Sequence, residues 1–140
     1  MSWDIIVMNL PPGIQSIDEI PKDYRPPPLG PRSQIIAKIA GLYPQCDFSD
    51  PFWGILQLPG CWIEFSLGEE EEVQHFAMHV RGGNGAPDIV SRILSELGMP
   101  ALDPSAPGSL FRHDPARRAE GFNRWRGYRD HVTGSAGNMD

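Results

Sequence analysis

A chain of 140 residues with 40% hydrophobic and 21% charged side chains has the composition of one globular domain, long enough to close a core without disulfide or metal. No apolar run approaches the roughly 20 residues of a membrane span. The net charge of −6 is split: residues 1–103 hold 6 basic and 14 acidic side chains (net −8), and residues 104–140 hold 6 arginines against 4 acids (net +2). An acidic body repels nucleic acid and favours a basic protein, although solubility alone accounts for the same charge.

The opening, MSWDIIVMNLPPG, lacks the basic start and cleavage site of a secretory leader, and Cys46 and Cys61 stand in no paired-ligand motif. Both features fit a reducing, cytoplasmic setting. Ser2 to Asn9 is apolar at both parities. It predicts a strand that is either covered on both sides or has an apolar outer surface. Residues 10–31 hold seven prolines and predict a surface connection, partly polyproline II, in which Ser16 to Glu19 has capping-box spacing for one helical turn.

From Arg32, Ile35, Ile36, Ile39 and Leu42 fall at helical spacing behind Ser33 as a possible cap, and Pro44 stops the run. Trp53–Leu58 and Cys61–Leu67 flank Pro59-Gly60, a tight hairpin signal. With Leu58 opposite Cys61, Leu56 faces Ile63. Ile55, Gln57, Trp62, Glu64 and Ser66 then share the other surface.

Val73 to Arg81 satisfies two periods. As a helix it buries Val73, Phe76, Ala77 and Val80; as a strand it buries Phe76, Met78 and Val80 and turns His75, Ala77, His79 and Arg81 outward. Strand is preferred, because the glycine loop 82–85 and a second helix, about 87–97 with a stop at Gly98, complete a strand–helix–strand crossover. A short strand follows over 99–103, then a possible return strand at Ser109–Phe111. A C-terminal helix is predicted over 114–132 with Phe122, Trp125, Tyr128 and Val132 on one face, and the tail 133–140 is expected to be disordered. The fold class is therefore α/β (α+β), a single domain over 1–132. Its two layers are a mixed sheet of four to five strands and helices mainly on one face.

Three constellations bear on chemistry. HxxxH at His75 and His79 would share a zinc on a helix, but on a strand four residues separate the rings by about 13 Å, so no metal is expected there. In strand form Trp62, Glu64, His75, His79 and Arg81 share one polar face. With Trp62 set opposite His79, Glu64 lies opposite Ala77 and diagonal to both histidines, an arrangement open to acid–base work or to plain surface polarity. Gly82, Gly83, Asn84 and Gly85 precede a helix and could cradle an anion. They lack the lysine of a P-loop and the spacing of a dinucleotide fingerprint, so no cofactor is expected.

Two further features are open to a bland reading and a functional one. Glu69 to Glu72 is a solvated turn or a negative patch for a basic partner. The arginines of 112–129, interleaved with aromatics, resemble an RNA-binding helix superficially, but docking on the acidic body explains them as well.

The opening SWDI-V, the helix ending before Pro44, the segment DFSDPFWG and the pair IEF and HVRGG together resemble a group of small uncharacterised bacterial proteins over about residues 1–103. Some similar small acidic proteins accompany secreted toxins as immunity proteins. The resemblance implies no catalytic residues, and the proline-rich loop and arginine-bearing helix look like additions to it. The expectation is a non-enzymatic, cytoplasmic protein-interaction module that binds a basic protein and no membrane. The alternative is a small enzyme or phosphate- or nucleotide-binding protein using the 81–85 loop with Glu64, His75 and His79.

Overall fold

A computed structural model describes residues 2–135. Its elements are, in order, Trp3–Met8 (β1), Gly30–Pro31 (β2), Arg32–Leu42 (α1), Trp53–Leu58 (β3), Cys61–Ser66 (β4), Glu72–Val73 (β5), His75–Gly82 (β6), Ala86–Leu97 (α2), Ala101–Leu102 (β7) and Glu120–Ser135 (α3). The five-stranded sheet has the order β3-β4-β6-β1-β7, and β2 pairs with β5 as a separate ribbon.

The expected two-layer α+β arrangement is present, with one correction to its sheet. Every pairing is antiparallel rather than mixed. The strand–helix–strand crossover is nevertheless real. Both β6 and β7 run antiparallel to β1, so they are parallel to each other with β1 inserted between them.

Alternation fixes which face is buried. Trp3, Ile5 and Val7 of β1, Leu56 of β3, Ile63 and Phe65 of β4, and Phe76, Met78 and Val80 of β6 are at most 1% exposed. They form one core with Ile35 and Ile39 of α1, Val90, Ile93, Leu94 and Leu97 of α2, and Phe122 and Trp125 of α3. Each such side chain contributes about 1.5–3 kcal/mol by leaving water. The helices lie on this face. β1 is therefore not covered on both sides: Ile6 and Met8 form an apolar outer surface, the second of the two readings of that segment.

Several local devices follow from sequence. Ser16 Oγ accepts from the Asp18 N–H (3.3 Å) and Glu19 Oε2 from the Gln15 N–H (2.7 Å), capping the 3-10 turn Ile17–Glu19. Gly98 adopts φ 67° and closes α2, where a side chain would be strained. Ser33 does not cap α1; the helix begins one residue earlier, with Pro31 at the cap position and no side-chain bond. Instead Arg32 Nη1 donates to the carbonyls of Glu69 and Glu70 (2.9 and 2.8 Å), gripping the acidic turn by its backbone and leaving its carboxylates in solvent.

At the C-terminal end, α3 starts at Glu120, six residues later than expected, and runs through Ser135, so 133–135 are helical and 136–140 lie outside the described residues. Phe122 and Trp125 are buried as expected, but Tyr128 is 62% exposed. The helix is anchored by Trp3, whose ring meets Phe122 edge-on at 5.2 Å.

Candidate functional site

The sheet face opposite the helices carries the polar residues singled out from sequence. Register now places them. One row across four strands reads Ile55, Glu64, His79, Asp4; a second reads Trp53, Ser66, Ala77, Ile6; a third reads Gln57, Trp62, Arg81. The hairpin register is as predicted, with Leu56 opposite Ile63 and Leu58 opposite Cys61.

The β4–β6 register is shifted two residues from the expected one. Glu64 lies opposite His79 rather than Ala77, Trp62 opposite Arg81 rather than His79, and Ser66 opposite Ala77 rather than His75. Alternation preserved the face but could not fix the offset. His75 therefore stands apart beside Met8, and Glu64 no longer sits between the histidines.

His79 is the centre of the face. Its Nδ1 lies 2.9 Å from Asp4 Oδ1, and Trp53 stacks on its ring, with centroids 5.7 Å apart and planes at 20°. Trp53 reaches this position from the edge strand, over the β4 residues between. Next to it Glu64 Oε1 accepts from the Trp62 indole N–H (3.3 Å) and stands 3.7 Å from Arg81 Nη1. Trp53 and Asp4 were not singled out from sequence. Trp53 had a legible signal, its parity with Ile55 and Gln57; Asp4 had none without the β1–β6 pairing.

The strand state of 75–82 separates His75 from His79 along β6, leaving His75 two rows away beside Met8. Among the described residues no group of three or more His, Cys, Asp or Glu could hold a metal ion. Cys61 points into the core, and burial pushes its thiol up.

The face is open, bounded by two shallow hollows. One, of about 180 Å³, is lined by Gln45, Asp47, Ile55, Gln57 and Trp62. The other, of about 420 Å³, is lined by Ile6, Ser66, Leu67, Gly68, His75, Phe76 and Ala77. Trp53 and Trp62 are each 37% exposed. Chemically this is an aromatic platform with carboxylates and imidazoles in its plane.

The glycine loop belongs elsewhere. Gly83 N–H donates to Gly60 O (3.0 Å), and a side chain at Gly82 would meet the same carbonyl at 2.7 Å, so this pair packs β6 on the β3–β4 turn. Asn84 Oδ1 accepts from Arg126, and Asp88 pairs with Arg118 at 3.1 Å. Arg81 does not join the loop, because its side chain lies on the open face beside Glu64. The expected combination of Arg81 with 82–85 is thus divided between two sides of the sheet.

One contact had no sequence signal at all. Ser91 Oγ lies 2.8 Å from His113 Nδ1, twenty-two residues away. Burial, with Arg118 nearby, holds the imidazole below its ordinary range. Ser91 is only 5% exposed, so its hydroxyl faces the interior and the pair latches the 111–114 segment onto α2.

The described residues include no helix long and apolar enough to cross a membrane. Compared with family models, curated proteins and solved structures, the chain gives no match to any of the three.

Proposed function

We propose that the chain is a non-enzymatic protein-interaction module whose uncovered sheet face docks a basic protein in the cytoplasm. The observation that supports this reading most is the composition of that face. Trp53 and Trp62 stand beside Ile55, Ile6 lies across the sheet in the Trp53 row, and the same surface carries Asp4 and Glu64. Large aromatic side chains at the centre of a surface patch are the groups that dominate binding energy at protein interfaces. The acidic body around them attracts a basic partner over distance. The immunity-like role implied by the resemblance is one form of this function.

The alternative, an enzyme or anion-binding protein, has less support. His79 and Glu64 lie on an open surface, and the side chains of Asn84 and Asp88 at the glycine loop are already engaged by arginines.

The test is affinity capture from the source cells, repeated with Trp53→Ala, Glu64→Gln and, as a control on the helix side, Lys38→Ala. A specific partner is expected to be basic, to be released by salt, and to be lost with the two face variants while Lys38→Ala retains it. Retention of the partner by the face variants would overturn the reading.

A further inference from the structure

We infer that the hollow formed by Gln45, Asp47, Ile55, Gln57 and Trp62 is an anchor site for one arginine or lysine side chain of the partner. This rests on the docking function proposed above and names the chemistry of its specific contact. Three observations carry it.

The first is size. About 180 Å³ accommodates one long side chain, whereas pockets for nucleotides and coenzymes start near ~300 Å³. The second is the donor–acceptor balance of the lining. Asp47 brings a carboxylate, Gln45 and Gln57 bring amides that can turn an oxygen to a cation, and Trp62 brings an exposed indole face, which attracts a cation through its quadrupole. Asp47 is charged at neutral pH. Bonds from the Ser49 hydroxyl (2.5 Å) and the Ser49 N–H (2.9 Å) to its Oδ1 hold it below the usual carboxylate range. Both of those bonds fall on Oδ1. The nearest basic group on the face, Arg81 on the far flank of Trp62, is beside Glu64.

The third is the sheet edge. Asp47 and Ile55 exchange both main-chain bonds (2.8 and 3.0 Å), which closes the outer edge of β3 at that residue. By the two-residue alternation of an antiparallel strand, the N–H and C=O of Gln57 point off the same edge. A partner segment running past Gln57 can make one main-chain rung there while its basic side chain crosses Trp62 toward Asp47. An apolar side chain would leave the acceptors of the hollow unmatched, and an acidic one would face Asp47.

The experiment is an NMR titration of the full chain with N-acetyl-arginine amide and N-acetyl-lysine amide. N-acetyl-citrulline amide, of the same shape but uncharged, is the control. Saturable shifts of the Trp62 indole N–H and the Gln57 amide are expected from the two cations, with Kd on the order of 1–10 mM. Asp47→Asn should weaken binding at least about fivefold, and Trp62→Ala should abolish the Gln57 response. Equal shifts from citrulline, or no saturation, would overturn the anchor. The two proposals fail separately. A partner lost with Trp53→Ala and Glu64→Gln, alongside a hollow that ignores the cations, removes the anchor alone. A partner retained by those variants removes the docking face.

Discussion

The indole N–H of Trp3 donates a 3.0 Å hydrogen bond to Oδ1 of Asp103, tying the first strand to a carboxyl one hundred residues later. Asp103 is 1% exposed, and the Ser105 N–H bonds to the same oxygen at 3.0 Å. Burial pushes its carboxyl up to about 6, against the downward pull of those two bonds.

That position makes stability fall as pH rises. The folded protein holds this proton more tightly than the unfolded chain, so the contribution is fully present below the ordinary value of 3.8 and is lost as pH rises through about 6. The size is on the order of 2–3 kcal/mol. Asp103→Asn keeps an oxygen for Trp3 and Ser105 and removes the titration. Denaturant unfolding at pH 4.5 and 7.5 should show the variant losing less stability over that rise than the parent, by about 2 kcal/mol, since part of the contribution is already gone at pH 4.5. A variant with the parent's full pH difference would show that another group is responsible.

Two glycines of α3 should respond oppositely to alanine. A side chain at Gly121 would strike Oδ2 of Asp103, whereas one at Gly127 meets nothing within 4 Å. Gly121→Ala should cost about 1–3 kcal/mol by overpacking. Gly127→Ala should stabilise by up to about 1 kcal/mol through helix propensity. Paired thermal unfolding curves measure both.

The glycine loop can be separated into structural and dispensable positions. Gly82→Ala places its methyl 2.7 Å from the Gly60 carbonyl and should lower stability, since backbone must move on one side or the other. Gly83→Ala meets open space and should unfold within about 0.5 kcal/mol of the parent. Calorimetry on the two variants checks the difference.

Cys46 should be a slow thiol. Burial, then the charge of Asp47, pushes it up to about 11. At pH 8 its thiolate fraction is then roughly 100-fold below that of a free cysteine, and alkylation should slow in proportion. Asp47→Asn removes the lesser cause and should speed the reaction modestly, as followed by mass spectrometry against iodoacetamide.

Much of this architecture was legible because its determinants are local. Pro59-Gly60 sets the β3–β4 turn and so its register, Gly98 stops α2, and Phe76, Met78 and Val80 mark the inner side of β6. What escaped was non-local. β4 and β6 are joined through the Glu69–Glu72 turn and the small β5 ribbon, a connection with no fixed geometry in sequence, and the offset was misjudged by two residues. Asp4, Ser91 and Asp103 each owe their surroundings to partners 22 to 100 residues distant. The face could be read from parity; the order of groups along it needed the β1–β6 and β4–β6 pairings.

The insertion of β1 between β6 and β7 sets a timetable for synthesis. Residues 3–8 are made well before both of their partners, since one partner is 75–82 and the other is 101–102. At roughly 5–20 residues per second, an apolar strand with Trp3, Ile5 and Val7 waits several seconds before either edge is paired. The β3–β4 hairpin can form within that interval, so β1, made before it, is locked in place after it. A nascent chain stalled before residue 75 would therefore carry two unpaired strand edges on β1, a template for wrong pairing that the finished sheet conceals.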